Sequence, residues 1–201
     1  MARLREFDTE VVLDSAMQAF WLRGYEATSL ADLMTATGLK KGSIYKAFND
    51  KHSLFVLALK RYLDQSNACH RQYLAPKQED AEEQTDSPKA NLSEWLHNII
   101  EQRGKDGLRR GCFMLNSLVE LAPHDEDVKQ LLSSHLEYVQ RLVCRVIARG
   151  QTLGEFRTDI PAKELSFLML NLLHGLVTNS KGPTPLNQLQ QQADTVLKVL
   201  A

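Results

Sequence analysis

Apolar residues recur along this chain every three or four positions. That is the spacing of one face of an α-helix rather than the strict alternation of a half-buried strand. Leu13, Ala16, Met17 and Phe20 make one stripe. Leu132, Leu136, Val139, Val143, Val146 and Ile147 make a second, on a helix running over about 125–150, and Leu165, Leu168, Leu172 and Leu176 make a third. All six prolines (Pro76, Pro88, Pro123, Pro161, Pro183 and Pro185) fall where such a stretch starts or stops, as proline does around helices. No Asn-Gly or Asp-Gly turn joins two alternating runs, and Asp106-Gly107 lies between helical patterns. The pattern predicts an all-α chain of about nine helices.

The first fifty residues carry the sharpest local signals. A helix over Thr9 to Arg23 should stop at Gly24, the residue best suited to a left-handed turn after a helix. Thr28 or Ser29 can cap a second helix, with Asp32 in its first turn where the helix dipole favours an anion. That helix carries Leu30, Leu33 and Met34 and ends at Thr37-Gly38. A tight turn through Leu39 leads into a short helix over Lys41 to Phe48, with Ile44 and Phe48 facing inward.

Helix, short glycine-containing turn, helix is the plan of a helix-turn-helix, whose second helix enters the DNA major groove. From Gly38 to Lys51 there are four lysines (Lys40, Lys41, Lys46 and Lys51) and one acid, Asp50, a net of +3. Residues 1–52 as a whole hold seven charges of each sign, so the positive charge is a patch and not a basic domain. Lysines beside Gly42, with hydroxyls at Ser43 and Tyr45, suit phosphate and base-edge contacts. By spacing alone the same residues suit the solvated face of a small helical bundle equally well.

The runs Val12-Leu13-Asp14-Ser15-Ala16 to Phe20, Arg23-Gly24-Tyr25-Glu26-Ala27-Thr28-Ser29-Leu30, and Thr37-Gly38-Leu39-Lys40-Lys41-Gly42-Ser43-Ile44-Tyr45-Lys46-Ala47-Phe48, followed by Lys51 and Leu54, resemble the DNA-binding domain of TetR/AcrR-family transcriptional regulators. The resemblance covers roughly residues 7–55; the rest is similar only in length and helical pattern. It implies that Thr28 and Ser29 touch phosphate, that Lys41, Gly42 and Ser43 open the recognition helix, and that Tyr45 bonds a phosphate. It also implies that Lys46 reads bases and that Lys51 grips phosphate from the start of the fourth helix. Lys40 stands where the family more often has serine. Arg3 and Arg5 are either a minor-groove arm or a disordered tail.

The implied organisation is a helix-turn-helix DNA-binding domain over 1–52 and a ligand-binding and dimerisation domain over 53–201. In such regulators the last two helices pack against their copies, here over about 161–201. The penultimate one suits burial on two sides, since Phe167, Leu168, Leu170, Leu172 and Leu173 make it apolar nearly all round. The last helix keeps a narrower stripe of Leu189, Ala193, Val196, Leu197 and Leu200.

A ligand pocket would lie among the middle helices. Polar or aromatic residues interrupt apolar faces there at Trp95, Asn116, His135, Tyr138, Asn171 and His174, with Cys112 and Phe113 nearby. Cys112 follows Arg109 and Arg110 and is placed in the first turn of a helix, where positive groups lower a thiol pKa. Some regulators of this family sense oxidants or electrophiles through cysteine, so a repressor acting through Cys112 is the alternative to one acting through a small-molecule inducer. The plainer role for Cys112 is a small buried apolar side chain.

Composition narrows the rest. Lys and Arg total 24 against 25 Asp and Glu, a net charge of -1, which argues against a wholly basic nucleic-acid coat. No apolar run approaches the roughly 18 to 20 residues of a membrane span, and MARLREFDTEVV lacks the apolar stretch of a signal peptide, so a cytoplasmic protein is expected. Residues 77–89, KQEDAEEQTDSPK, hold five acids and no large apolar side chain and are expected to form an exposed linker. The three cysteines form no CxxC pair, the six histidines show no metal-ligand spacing, and neither GxSxG, a Walker A loop, GxGxxG nor HExxH occurs. No enzyme, cofactor or metal site is expected. The partners expected are a double-stranded DNA operator with inverted symmetry, a second copy of the chain and a small-molecule inducer.

Overall fold

The computed structural model describes residues 7–75, 87–102 and 109–201. Arg3, Arg5, Asp106-Gly107 and residues 77–86 of the acidic run lie outside the described residues.

Nine helices and no strand occur among the described residues. They are α1 (Thr9–Arg23), α2 (Leu30–Thr37), α3 (Lys41–Phe48), α4 (Lys51–Leu74), α5 (Pro88–Gln102), α6 (Phe113–Glu120), α7 (Glu126–Thr152), α8 (Ala162–Asn179) and α9 (Leu186–Leu200). Local chemistry sets the early boundaries. Asp8 caps α1 by accepting the Glu10 amide at 2.9 Å, and Gly24, at φ +86°, ends it while donating to the Phe20 carbonyl at 2.7 Å. Ser29 and Asp32 form a reciprocal capping box at the start of α2: the Ser29 hydroxyl accepts the Asp32 amide at 3.1 Å and the Asp32 carboxylate accepts the Ser29 amide at 2.9 Å. Gly38, at φ +71°, closes α2 in the left-handed region.

The described residues form two compact units, one of residues up to Gln65 with Phe113–Leu132 and one of Ser66–Cys112 with Ser133–Ala201. In the first, α1 buries Val12, Ala16, Met17 and Phe20, so its inward stripe begins at Val12 rather than Leu13, which is half-buried. The 12, 16, 20 series is a strict i, i+4 row. Leu33 of α2 and Ile44 and Phe48 of α3 are buried as well, and Phe55 of α4 stacks edge-on to Phe20 at 5.2 Å and to Phe113 of α6 at 5.6 Å. The bidentate pair of Arg61 with Asp14, 2.5 and 2.7 Å, ties α4 to α1 at the rim.

In the second unit α9 packs on α5 and α8 and buries Leu189, Ala193, Val196, Leu197 and Leu200, while α5 buries Leu92, Trp95, Leu96 and Ile100. Helix α8 buries Leu165, Met169, Leu173 and Leu176 and leaves Phe167, Leu168 and Leu172 exposed. Leu168 and Leu172 therefore do not share a buried stripe with Leu165 and Leu176: they belong to a second apolar face.

Candidate nucleic-acid interface and interior polar cluster

Helix α3 projects its chemistry outward. Ile44 and Phe48 are buried, while Lys40, Lys41, Gly42, Tyr45 and Lys46 are exposed and Ser43 is half-buried. No side chain caps the N-terminus of α3; the Ser43 amide donates to the Lys40 carbonyl at 2.9 Å, which leaves the Lys41 and Gly42 amides as donors at the end where the helix dipole favours an anion. Nothing lies within 4 Å of where a Gly42 Cβ would sit, so this turn is open to an approaching backbone. Lys41 Nζ stands 5.8 Å from the Tyr45 ring centroid.

The two hydroxyls at the start of α2 fare differently. Ser29 is exposed, although its hydroxyl already serves the capping box. Thr28 is completely buried, its Oγ1 donating to the Gly24 carbonyl at 2.6 Å. A phosphate contact through the Thr28 side chain does not fit this placement, because the hydroxyl is spent on satisfying the turn that leads into the helix.

Lys51 opens α4 half-buried, with its ammonium 4.3 Å above the centre of the Tyr25 ring. Around it lie residues that no local spacing pointed to. His52 Nε2 meets Asp125 Oδ2 at 2.6 Å, and Glu120 accepts the amides of Tyr25 and Glu26 at 3.0 and 2.9 Å. Burial raises the Tyr25 phenol above its ordinary value, and the charges of Glu26, Asp50 and Asp125 add to that. Burial also pushes the Asp125 carboxyl upward, but the Val128 amide and His52 outweigh it and hold the group below the usual carboxylate range.

The second unit holds a buried polar cluster. Trp95, fully buried, donates its indole N–H to His70 Nδ1 at 3.0 Å, and His70 Nε2 faces the Ser66 hydroxyl at 3.0 Å. Since Nδ1 is accepting, the imidazole hydrogen sits on Nε2 and His70 is neutral. His135 lies beside it, ring centroids 5.7 Å apart, buried, with no hydrogen-bond partner for its Nδ1. Burial first, and the neighbouring His174 second, bring the His135 pKa down to about 4. Burial also lowers that of His174. Trp95 and His135 thus both meet His70, which the sequence did not single out, and His174 neighbours His135.

The remaining expected ligand residues are not part of that cluster. Asn171 is exposed on α8 and Tyr138 is half-buried on α7. Phe113 and Asn116 belong to the first unit, where Phe113 is buried between Phe55 and Tyr62 and Asn116 is half-buried. A pocket of about 60 Å³ in the second unit is lined by Tyr73, Pro88, Asn91, Arg145 and Arg149 among others, and includes none of the expected residues.

Cys112 directly precedes α6 instead of lying in its first turn, and it is buried. Arg109, one of the two arginines that precede it in sequence, donates to the Gly182 carbonyl. Attack on an oxidant or electrophile needs an accessible thiolate, so this placement favours Cys112 as a small buried apolar group and does not favour the cysteine-sensing alternative.

Comparison with known proteins agrees with this geometry. Residues 12–58 match the bacterial regulatory proteins of the tetR family, and residues 88–193 match the tetracyclin repressor-like C-terminal domain. The chain is 30% identical over 197 residues to the HTH-type transcriptional repressor ComR of Escherichia coli strain K12, covering 98% of this chain and 90% of that one. It is 29% identical to the HTH-type transcriptional regulator YezE of Bacillus subtilis strain 168, with 100% of both chains covered. Among solved structures, a cysteine mutant of the TetR family transcriptional regulator CifR, complexed with 26-base-pair operator DNA, superposes with a TM-score of 0.84 at 29% identity over 100% of both chains. Among the described residues no helix is long and apolar enough to cross a membrane.

Proposed function

The chain belongs to the TetR family of transcriptional regulators, and on that premise we propose that it is a ligand-responsive repressor that binds a palindromic operator as a homodimer. The observation that carries the reading is the outer face of α3: Lys40, Lys41, Gly42, Tyr45 and Lys46 exposed around a helix N-terminus without a side-chain cap. The uncapped amides and Lys41 offer donors to a phosphate, and open space at Gly42 lets the DNA backbone come close. Tyr45 adds a hydroxyl donor, Ser43 stands at the entry, and Lys46, one turn on, has the reach of a base-reading side chain. Lys40, Ser29 and Lys51 extend the phosphate-binding edge. That CifR is complexed with operator DNA supports DNA binding by this chain.

In this reading residues 1–52 are the DNA-binding domain and residues 53–201 bind ligand and dimerise, the second copy covering the exposed Phe167, Leu168 and Leu172 of α8 together with α9. The inducer is received in the second unit near Trp95, His70, His135 and His174, where the Nδ1 of the buried His135, without a hydrogen-bond partner, offers a directional hydrogen bond. The protein works by binding rather than catalysis, in the cytoplasm. A preference of a few kcal/mol of the inducer for the conformation that fits DNA less well is sufficient to release the operator.

Selection of bound fragments from genomic DNA at physiological salt tests this directly. Recovery of fragments sharing one inverted repeat is expected. Recovery of fragments with no common sequence would reject operator-specific binding.

A further inference from the structure

Two carboxylates that follow one another closely in the chain converge on one edge of the DNA-binding head. Glu120, the last residue of α6, accepts the backbone amides of Tyr25 and Glu26 at 3.0 and 2.9 Å, spanning the turn between α1 and α2 like a staple. Gly24 makes room for it: a Cβ there would stand 2.8 Å from Glu120 Oε2. Asp125 accepts the Val128 amide at 3.0 Å through Oδ1, capping α7, and holds His52 Nε2 at 2.6 Å through Oδ2. All of these residues belong to the first compact unit.

What the two acids hold is the surroundings of a single lysine. Tyr25, stapled by Glu120, places its ring 4.3 Å beneath the Lys51 ammonium. His52, held by Asp125, is the next residue of α4, and its ring meets the Tyr25 ring edge-on at 6.2 Å. A lysine side chain free in solvent samples many rotamers and must be immobilised on binding. One resting on an aromatic face that is itself fixed from two directions has already given up part of that freedom. The pairing also puts Asp125 to use on His52 and Val128, which keeps a carboxylate close to the DNA edge engaged with the protein.

We propose that Glu120 and Asp125 are positioning residues for operator binding, which fix Tyr25 and His52 so that Lys51 is presented to a DNA phosphate. The proposal rests on the reading of Lys51 as a phosphate contact. It extends the DNA-binding apparatus to residues 113–132, well beyond the helix-turn-helix itself.

The test uses the full chain with an operator duplex recovered by the selection above, and titrates affinity against salt. Lys51→Ala is expected to weaken binding roughly tenfold and to lower the salt slope by about one, and Glu120→Gln and Asp125→Asn are each expected to weaken binding by part of that loss, since the lysine charge stays but is no longer held in place. Combining Glu120→Gln with Lys51→Ala should weaken binding no further than Lys51→Ala alone. A second readout needs no DNA: the Lys51 Cε protons, lying over the Tyr25 ring, should resonate upfield in the parent protein and return toward free-lysine values in either acid variant. Asp125→Asn carries the same test should Glu120→Gln fail to fold. If Lys51→Ala weakens binding but the acid variants leave affinity, slope and the lysine resonances unchanged, or if the effects multiply in the double variant, the positioning role is wrong while the phosphate contact stands. If Lys51→Ala itself changes neither affinity nor slope, the phosphate reading fails and the proposal falls with it.

Discussion

The indole nitrogen of Trp95 donates to Nδ1 of His70 at 3.0 Å across 25 residues of chain, and this one bond decides the protonation state of a buried histidine. An accepting Nδ1 cannot also carry a proton, so His70 stays neutral and directs its Nε2–H at Ser66. Trp95→Phe keeps an aromatic ring in place but leaves a buried nitrogen unpaired. A loss of roughly 1–3 kcal/mol in chemical denaturation at pH 7.5 is expected from that group, with some addition for the lost packing. Stability equal to the parent's would show that the bond is not made in solution.

His135 supplies a pH dependence with a definite sign. Its pKa falls from an ordinary 6.5 to about 4 in the folded protein, so the unfolded chain takes up a proton first as the pH drops. Near pH 7.5 both states are neutral there and the group contributes nothing. Between about pH 6.5 and 4 the folded state loses stability, by about 3 kcal/mol in all for a shift of this size. His174, also lowered, acts in the same direction. His135→Leu should flatten the fall in stability between pH 7.5 and pH 4.5. A His135 ring resonance that titrates near pH 6.5 in the folded protein would contradict this.

Gly24 answers two demands at once, a φ of +86° and the approach of Glu120. Gly24→Ala is expected to cost about 1–3 kcal/mol, since the backbone strain and the displaced carboxylate add. Thermal melting measures it. Gly38→Ala makes a useful comparison: Gly38 has φ +71° but nothing within 4 Å of a new Cβ, so only the strain should be felt.

The exposed face of α8 predicts assembly. Leu172→Glu places a charge among Phe167 and Leu168, which the monomer leaves exposed. Light scattering is expected to show a monomer that retains parent-like helicity, with operator affinity reduced at least tenfold because two half-sites are no longer bound together. A dimer of unchanged affinity would place the interface elsewhere.

Much of this was legible in the sequence, for identifiable reasons. Helix ends in the head announce themselves through Ser29 with Asp32 three residues on and through Gly24 and Gly38, because caps and left-handed turns are short-range chemistry. Local pattern did not separate Thr28 from Ser29: both are hydroxyls at a helix start, and only the fold shows that one is buried under the Gly24 carbonyl. Periodicity found the apolar positions of α8 but merged its two faces, since Leu165, Leu168, Leu172 and Leu176 are spaced as one stripe. Beyond local reach lay Glu120 on the Tyr25–Glu26 turn, His52 on Asp125, and His70 under Trp95. Those pairs are 94 and 95, 73 and 25 residues apart, and nothing in the flanking residues marks either partner.

Two copies of the Lys40–Lys46 face are expected to read two half-sites at once. The most direct measurement is fluorescence anisotropy on the selected operator, with the separation of its half-sites lengthened by five base pairs. Half a turn of added DNA moves one half-site to the opposite side of the duplex, so affinity should fall toward that for unrelated DNA and recover in part when ten base pairs are added. Unchanged affinity at every spacing would contradict binding as a two-fold dimer to a palindromic operator.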